Sequence, residues 1–175
     1  TICEGQGMDK EFEHDTSISI DQYLSMIGKK TGALLGLSAE LGSRLGDLDD
    51  HLNQNMFEFG LNLGLAFQIQ DDYLEIFADE STMGKSLGSD ISSGKQTILS
   101  ILARGKDSLS WEGFINENNE ISAYKEYFEE HGIKMETEKL IKDYISKSQN
   151  NLEVISKDKR DNLIGYTQLI LNRKF

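Results

Sequence analysis

The sequence predicts an all-α protein, and three observations carry that reading. None of its 175 residues is proline. Long stretches are rich in Leu, Ile, Glu, Lys, Gln and Ser, a composition that favours helices over a turn-dense sheet. Apolar side chains also recur at helical spacing along most of the chain. At 38% hydrophobic the chain can build one domain with a real core, or a large piece of a bigger one, and nothing in it requires a second domain.

From Ile20 to Leu45 the residues Tyr23, Leu24, Ile27, Leu34, Leu35, Leu37, Leu41 and Leu45 follow helical spacing, and Asp15, Thr16 and Ser17 before them each suit an N-cap. Gly28, Gly32, Gly36 and Gly42 interrupt this helix, each at about 1 kcal/mol relative to Ala. Their presence predicts close backbone packing or room for a ligand. The Asp47 to Asp50 cluster reads as a polar connection, and a second helix runs from about Leu52 to Phe77, with Met56, Phe59, Leu63, Phe67 and Leu74 on its apolar stripe. Between Ala78 and Lys95 the periodicity fades and Gly84, Lys85, Gly88, Asp90, Gly94 and Lys95 appear, as in a charged functional loop. Helical pattern resumes over Thr97 to Ala103, pauses through Gly105 to Glu120, and returns over Ile121 to His131 and Glu136 to Ile155. A last helix, Lys159 to Arg173, carries Leu163, Tyr166, Ile170 and Leu171.

The formal charge of −12 argues against a nucleic-acid backbone as partner, because phosphate neutralisation needs clustered Lys and Arg. The single cysteine, Cys3, has no partner for an internal disulfide, and no Cys/His cluster has zinc spacing, which fits a reducing, cytoplasmic setting. Apolar runs break well before the ~20 residues that a membrane span needs, and no signal peptide opens the chain. Because Thr1 already stands inside a structured Gly-rich segment, the chain reads as part of a longer one.

The chemistry concentrates in Phe67-Gln68-Ile69-Gln70-Asp71-Asp72-Tyr73-Leu74-Glu75. On a helix Asp71 and Glu75 are i,i+4 neighbours and Asp72 stands three before Glu75, so three carboxylates converge at one end of an apolar helix. They repel one another unless solvent screens them or a cation bridges them. Mg²⁺ suits the second case, since it favours one or two carboxylates together with substrate phosphates. Lys85 and Lys95 follow as cations that can face the same phosphates. The bland alternative is an acidic face in solvent, but an acid triad, Gly84-Lys85, Asp90 and Gly94-Lys95 in fixed order is more than a solvated face explains.

That order, Phe67-Gln68-x-x-Asp71-Asp72-x-x-Glu75, Gly84-Lys85, Gly88-x-Asp90 and Gly94-Lys95-x-Thr97, resembles the second aspartate-rich region of trans-isoprenyl diphosphate synthases, the farnesyl and geranylgeranyl diphosphate synthase family. Upstream, Gly5-Gln6-x-x-Asp9 and Lys30-Thr31 look like two further family motifs. The match is dense from Gly5 to Leu102 and generic beyond. The resemblance implies the C-terminal part of the isoprenoid synthase helical bundle, with 1–175 belonging to a single polyprenyl synthetase domain. It implies Mg²⁺, or Mn²⁺, on Asp71, Asp72 and Glu75, with Lys30 and Lys85 on the allylic diphosphate. Thr31 and Gln68 would face the allylic cation, while Gln6, Asp9, Phe67 and Lys95 would bind substrate. Isopentenyl diphosphate and an allylic diphosphate are the implied substrates, and a homodimer the implied assembly.

The chain departs from the family at Glu75, where Asp is usual, at Ala78, where many members have Gly, and at Thr97-Ile98-Leu99, which lacks a common proline. No second Asp-Asp-x-x-Asp motif occurs, so the first aspartate-rich motif is expected upstream of Gly5, and with it the residues that set product length. A noncatalytic subunit with the same fold, a class I terpene cyclase and an acidic binding module are the alternatives. The intact acid triad argues against the first, and Asp71-Asp72-x-x-Glu75 differs from the usual second metal motif of the cyclases. His14, His51 and His131 are scattered and receive no role, and a solvated terminus explains Arg173 and Lys174.

Overall fold

The computed structural model describes residues 1–13, 15–46, 49–78, 90 and 93–171. Every regular element among them is helical: α1 (Ile2–Phe12), α2 (Ile20–Ile27), α3 (Ala33–Leu45), α4 (Asp50–Phe77), α5 (Ile98–Lys106), α6 (Ser108–Glu117), α7 (Ile121–Glu130), α8 (Ile133–Asn150) and α9 (Lys157–Leu171). No described helix is long and apolar enough to cross a membrane.

The helix expected over Ile20 to Leu45 is continuous but not uniform. A π-helical turn, Gly28–Gly32, joins α2 to α3. Such turns bulge the backbone outward and recur at functional sites. The N-cap is Ser19 and not Asp15, Thr16 or Ser17. Its hydroxyl accepts from the Gln22 amide at 3.2 Å while Gln22 Oε1 accepts from the Ser19 amide at 2.8 Å, a complete capping box. Asp15 is instead committed to a turn, accepting from the Ser17 amide at 2.8 Å and its hydroxyl at 2.6 Å.

The 28-residue α4 is the axis of the molecule, about 42 Å long at the usual helical rise. Asp49 caps it, accepting from the Leu52 amide at 2.8 Å. Antiparallel α3 lies on one side of it and α8 on another. Glycine decides how closely α3 approaches: a Cβ added to Gly64 would stand 2.6 Å from the Gly32 Cα, and one on Gly32 2.8 Å from Leu61 Cδ1. The close packing expected of the α3 glycines thus holds at Gly32 and Gly36, whereas Gly42 faces open space. Leu34, Leu37, Leu41 and Leu45 share a face of α3, yet they are 47–89% exposed, uncovered by any described element.

The main core gathers Tyr23, Ile27, Ile69, Ile98, Leu99, Phe128 and Ile133 between α2, α4, α5, α7 and α8. A smaller cluster of Met56, Phe59, Leu63, Leu152 and Leu171 closes the other end of α4. The pause expected over Gly105 to Glu120 contains α6. Asp107 caps it through the Ser110 amide at 3.0 Å, and Trp111 is buried among Phe114, Tyr124, Tyr127 and Phe128. Aromatic burial outweighs the weak local pattern of this short, glycine-containing segment. Helix α8 starts one turn before the expected Glu136, because Gly132 takes the left-handed conformation (φ 69°) that turns the chain into it.

Candidate active site

Three elements meet at the π turn. Gly5 of α1 lies so close to the turn that an added Cβ would fall within the backbone of Lys29 and Lys30. This contact docks α1 against the turn, where Asp9 Oδ2 accepts from Lys30 Nζ at 2.7 Å. Gln6 reaches the same carboxylate oxygen at 3.4 Å, one helical turn away. Gln6 and Asp9 therefore both stand inside α1. The neighbouring Lys29 pairs with Glu4 across the same interface.

On the other side of the turn, the Thr31 hydroxyl donates to Gln68 Oε1 at 3.1 Å, and Gln68 Nε2 donates to Asp72 Oδ1 at 3.4 Å. The amide is thereby oriented, nitrogen toward the carboxylate and oxygen toward the hydroxyl. Asp72 is only 4% exposed. Its Oδ2 accepts from the Tyr23 hydroxyl at 2.7 Å and from the Ile98 backbone amide at 3.1 Å. Burial pushes its carboxyl up to about 6, against the opposing pull of those two donors and of Lys95. Burial likewise drives the Tyr23 phenol well above its ordinary value, reinforced by the Asp72 charge.

Glu75, 9% exposed, accepts from the Asp90 amide at 3.4 Å. Asp90 in turn pairs with Lys95 at 3.2 Å, the pairing open to those two residues from their sequence positions. Burial lowers the Lys95 ammonium, but Asp90 and Asp72 outweigh it and hold the group above its ordinary value. Asp71 and Phe67 are half-buried on α4. Lys85 lies outside the described residues.

Asp9, Lys30, Gln68, Asp72, Lys95 and Gln96 thus line one narrow recess of about 10 Å³, room for a single water-sized group. Among the described residues no three His, Cys, Asp or Glu side chains form a metal-holding group. Consecutive residues of a helix point about 100° apart, and Asp72 turns inward toward α2 and α5. Tyr23 and Gln96 are site residues that sequence reasoning missed. Tyr23 reads as one more apolar position of a helical stripe, although its place seven residues before Lys30 puts both on one face.

The recess of this helical bundle joins two lysines, the Tyr23 hydroxyl, two amides, the half-buried Asp9 and the buried Asp72, an arrangement of cations beside fixed dipoles. The chain matches the family model described as Polyprenyl synthetase over residues 1–132 and belongs to that family. It is 32% identical, over 99% of its length and 55% of the relative's, to a short chain isoprenyl diphosphate synthase of Methanothermobacter thermautotrophicus. It is 33% identical, over 98% of its length and 54% of the relative's, to a geranylgeranyl pyrophosphate synthase of Geoglobus acetivorans. Among solved structures, geranylgeranyl pyrophosphate synthetase from Pyrococcus horikoshii superposes with a TM-score of 0.87 at 31% identity, over 98% of this chain and 55% of that one. The chain spans about half the length of the curated relatives it matches.

Proposed function

We propose that the complete protein is a trans-prenyl diphosphate synthase that joins isopentenyl diphosphate to an allylic diphosphate. The observation that best supports this is the unbroken run of contacts from Asp9 through Lys30 on one side of the π turn, and from Thr31 through Gln68 to Asp72 on the other. It sets a cation and two uncharged dipoles side by side, as ionisation of an allylic diphosphate requires.

Lys30, with Lys85 and Lys95, receives the diphosphate and stabilises the negative charge that grows as the carbon–oxygen bond breaks and its electron pair leaves with the diphosphate. The Thr31 hydroxyl oxygen and the Gln68 carbonyl oxygen turn their negative ends to the allylic cation. No nucleophilic side chain takes part. Phe67 flanks the isopentenyl substrate, whose double bond attacks the cation before a proton passes to the departing diphosphate. Gln6 and Asp9 hold Lys30 in place.

Asp71, Asp72 and Glu75 fit a hard divalent cation, since they offer only carboxylate oxygens and two of them are almost fully buried, a repulsion that such an ion relieves. These residues would hold Mg²⁺, with Mn²⁺ as substitute. When bound, the ion supplies Lewis-acid neutralisation of the leaving diphosphate. The partner half of the site, with the first aspartate-rich motif, belongs to the rest of the polyprenyl synthetase domain, in a cytoplasmic homodimer. Products of geranylgeranyl or geranylfarnesyl length are those that the relatives' names suggest.

The test is to incubate the product of the complete gene with labelled isopentenyl diphosphate and several allylic diphosphates, with Mg²⁺ or with EDTA, and to resolve the products by chain length. Magnesium-dependent extension is expected. No product from any allylic primer would favour the noncatalytic subunit or the class I terpene cyclase instead.

A further inference from the structure

Lys95 and Gln96 also line a second, larger cavity of about 460 Å³, within the range of ~300–1,000 Å³ usual for small-molecule sites. Its floor is apolar and largely aromatic: Ile76, Trp111, Ile115, Tyr124 and Phe128. Arg104 stands in its wall. Two of the five guanidinium N–H donors are occupied, Nη1 on Gln96 Oε1 at 2.7 Å and Nη2 on the Ile18 carbonyl at 3.0 Å, and both acceptors are neutral.

Among the described residues no carboxylate comes within ion-pair distance of Arg104. Burial lowers the group from its ordinary value, and the more distant Asp15, committed to Ser17, restores only part of that. Glu112, at the exposed rim, accepts from the Ser108 hydroxyl at 3.1 Å. A half-buried cation with no carboxylate among the described residues at ion-pair distance is costly unless something anionic meets it.

We propose that this cavity is a binding site for a small amphipathic carboxylate, its charge on Arg104 and its aromatic or branched hydrocarbon body over Trp111, Tyr124 and Phe128. The remaining N–H donors of one guanidinium match the planar, singly charged carboxylate. A phosphate dianion asks for a second cation free of carboxylates, and the other cation of the lining, Lys95, stands with Asp90 beside it. Nothing in this assignment depends on the prenyl-transfer reading.

The test is an NMR titration of the ¹⁵N-labelled protein with 4-phenylbutyrate and with its neutral analogue 4-phenylbutanamide, following the indole N–H signal of Trp111, the one tryptophan of these 175 residues. The carboxylate is expected to shift that signal saturably and to bind at least tenfold more tightly than the amide. Arg104→Gln is expected to bring the carboxylate down to the amide's affinity. The comparison of the two ligands needs no altered protein, so it stands even if Arg104→Gln fails to fold. Equal affinity of acid and amide, or no movement of the Trp111 signal with either, would overturn the proposal.

Discussion

The hydroxyl of Tyr23 and the carboxylate of Asp72, 49 residues apart in sequence, meet at 2.7 Å in the buried centre of the molecule. This bond joins α2 to α4 and turns Asp72 toward the recess that Lys30 and Gln68 share. A buried carboxylate loses solvation, and each donor aimed at it offsets part of that loss.

Tyr23→Phe removes the donor and leaves the ring. Loss of about 1–3 kcal/mol is expected, because Asp72 stays buried with one partner fewer. For a protein of this size that corresponds to a fall in Tm of roughly 2–12 °C, readable by circular dichroism. An unchanged Tm would mean that the bond contributes nothing net.

Gly64→Ala drives a methyl group into the Gly32 backbone and should cost about 3 kcal/mol or more, since neither helix can move without repacking α4. Gly42→Ala meets nothing within 4 Å and should be neutral or stabilising by up to about 1 kcal/mol from helix propensity. Denaturant melts of the two variants check the pair. Similar destabilisation in both would refute the close-crossing account.

Lys30→Gln removes the cation beside the Thr31–Gln68 pair. Under the proposed prenyl transfer it should lower kcat/KM of the complete protein for the allylic diphosphate by about 10²–10³-fold, the range for losing one group that stabilises developing charge. Steady-state kinetics decide the matter, and a loss under tenfold would move Lys30 out of the diphosphate site.

Chelation with EDTA should abolish product formation, and added Mg²⁺ should restore it. Asp71→Asn should raise the Mg²⁺ concentration needed for half-maximal rate by at least tenfold, with folding preserved on this half-exposed position. Activity measured against free Mg²⁺ gives the answer, and an unshifted curve would assign the metal to other ligands.

Much of the bundle was legible because local rules act locally. The Asp71, Asp72 and Glu75 spacing and the apolar stripe of α4 each follow from a few residues and the helical repeat, whereas the Lys30-Thr31 pair stood out through the family resemblance. Helix α6 was not legible, since its stability comes from burying Trp111 against α7 and not from its own pattern. The capping box at Ser19 was readable from Gln22 three residues on, yet Asp15, Thr16 and Ser17 are equally good capping residues by type.

By itself the sequence determined a helical fold, most of its helices apart from α6, and which residues share a turn, because periodicity and side-chain type specify these within a single helix. Only the tertiary structure decided that Asp72 faces Tyr23 and the Ile98 amide, that Gly5 seats α1 on the π turn, and that Arg104 stands in a cavity wall. Those relations depend on how each helix is rotated about its axis and where it crosses its neighbours. Rotation and crossing are set by the summed packing of residues far apart in sequence, which no local window contains.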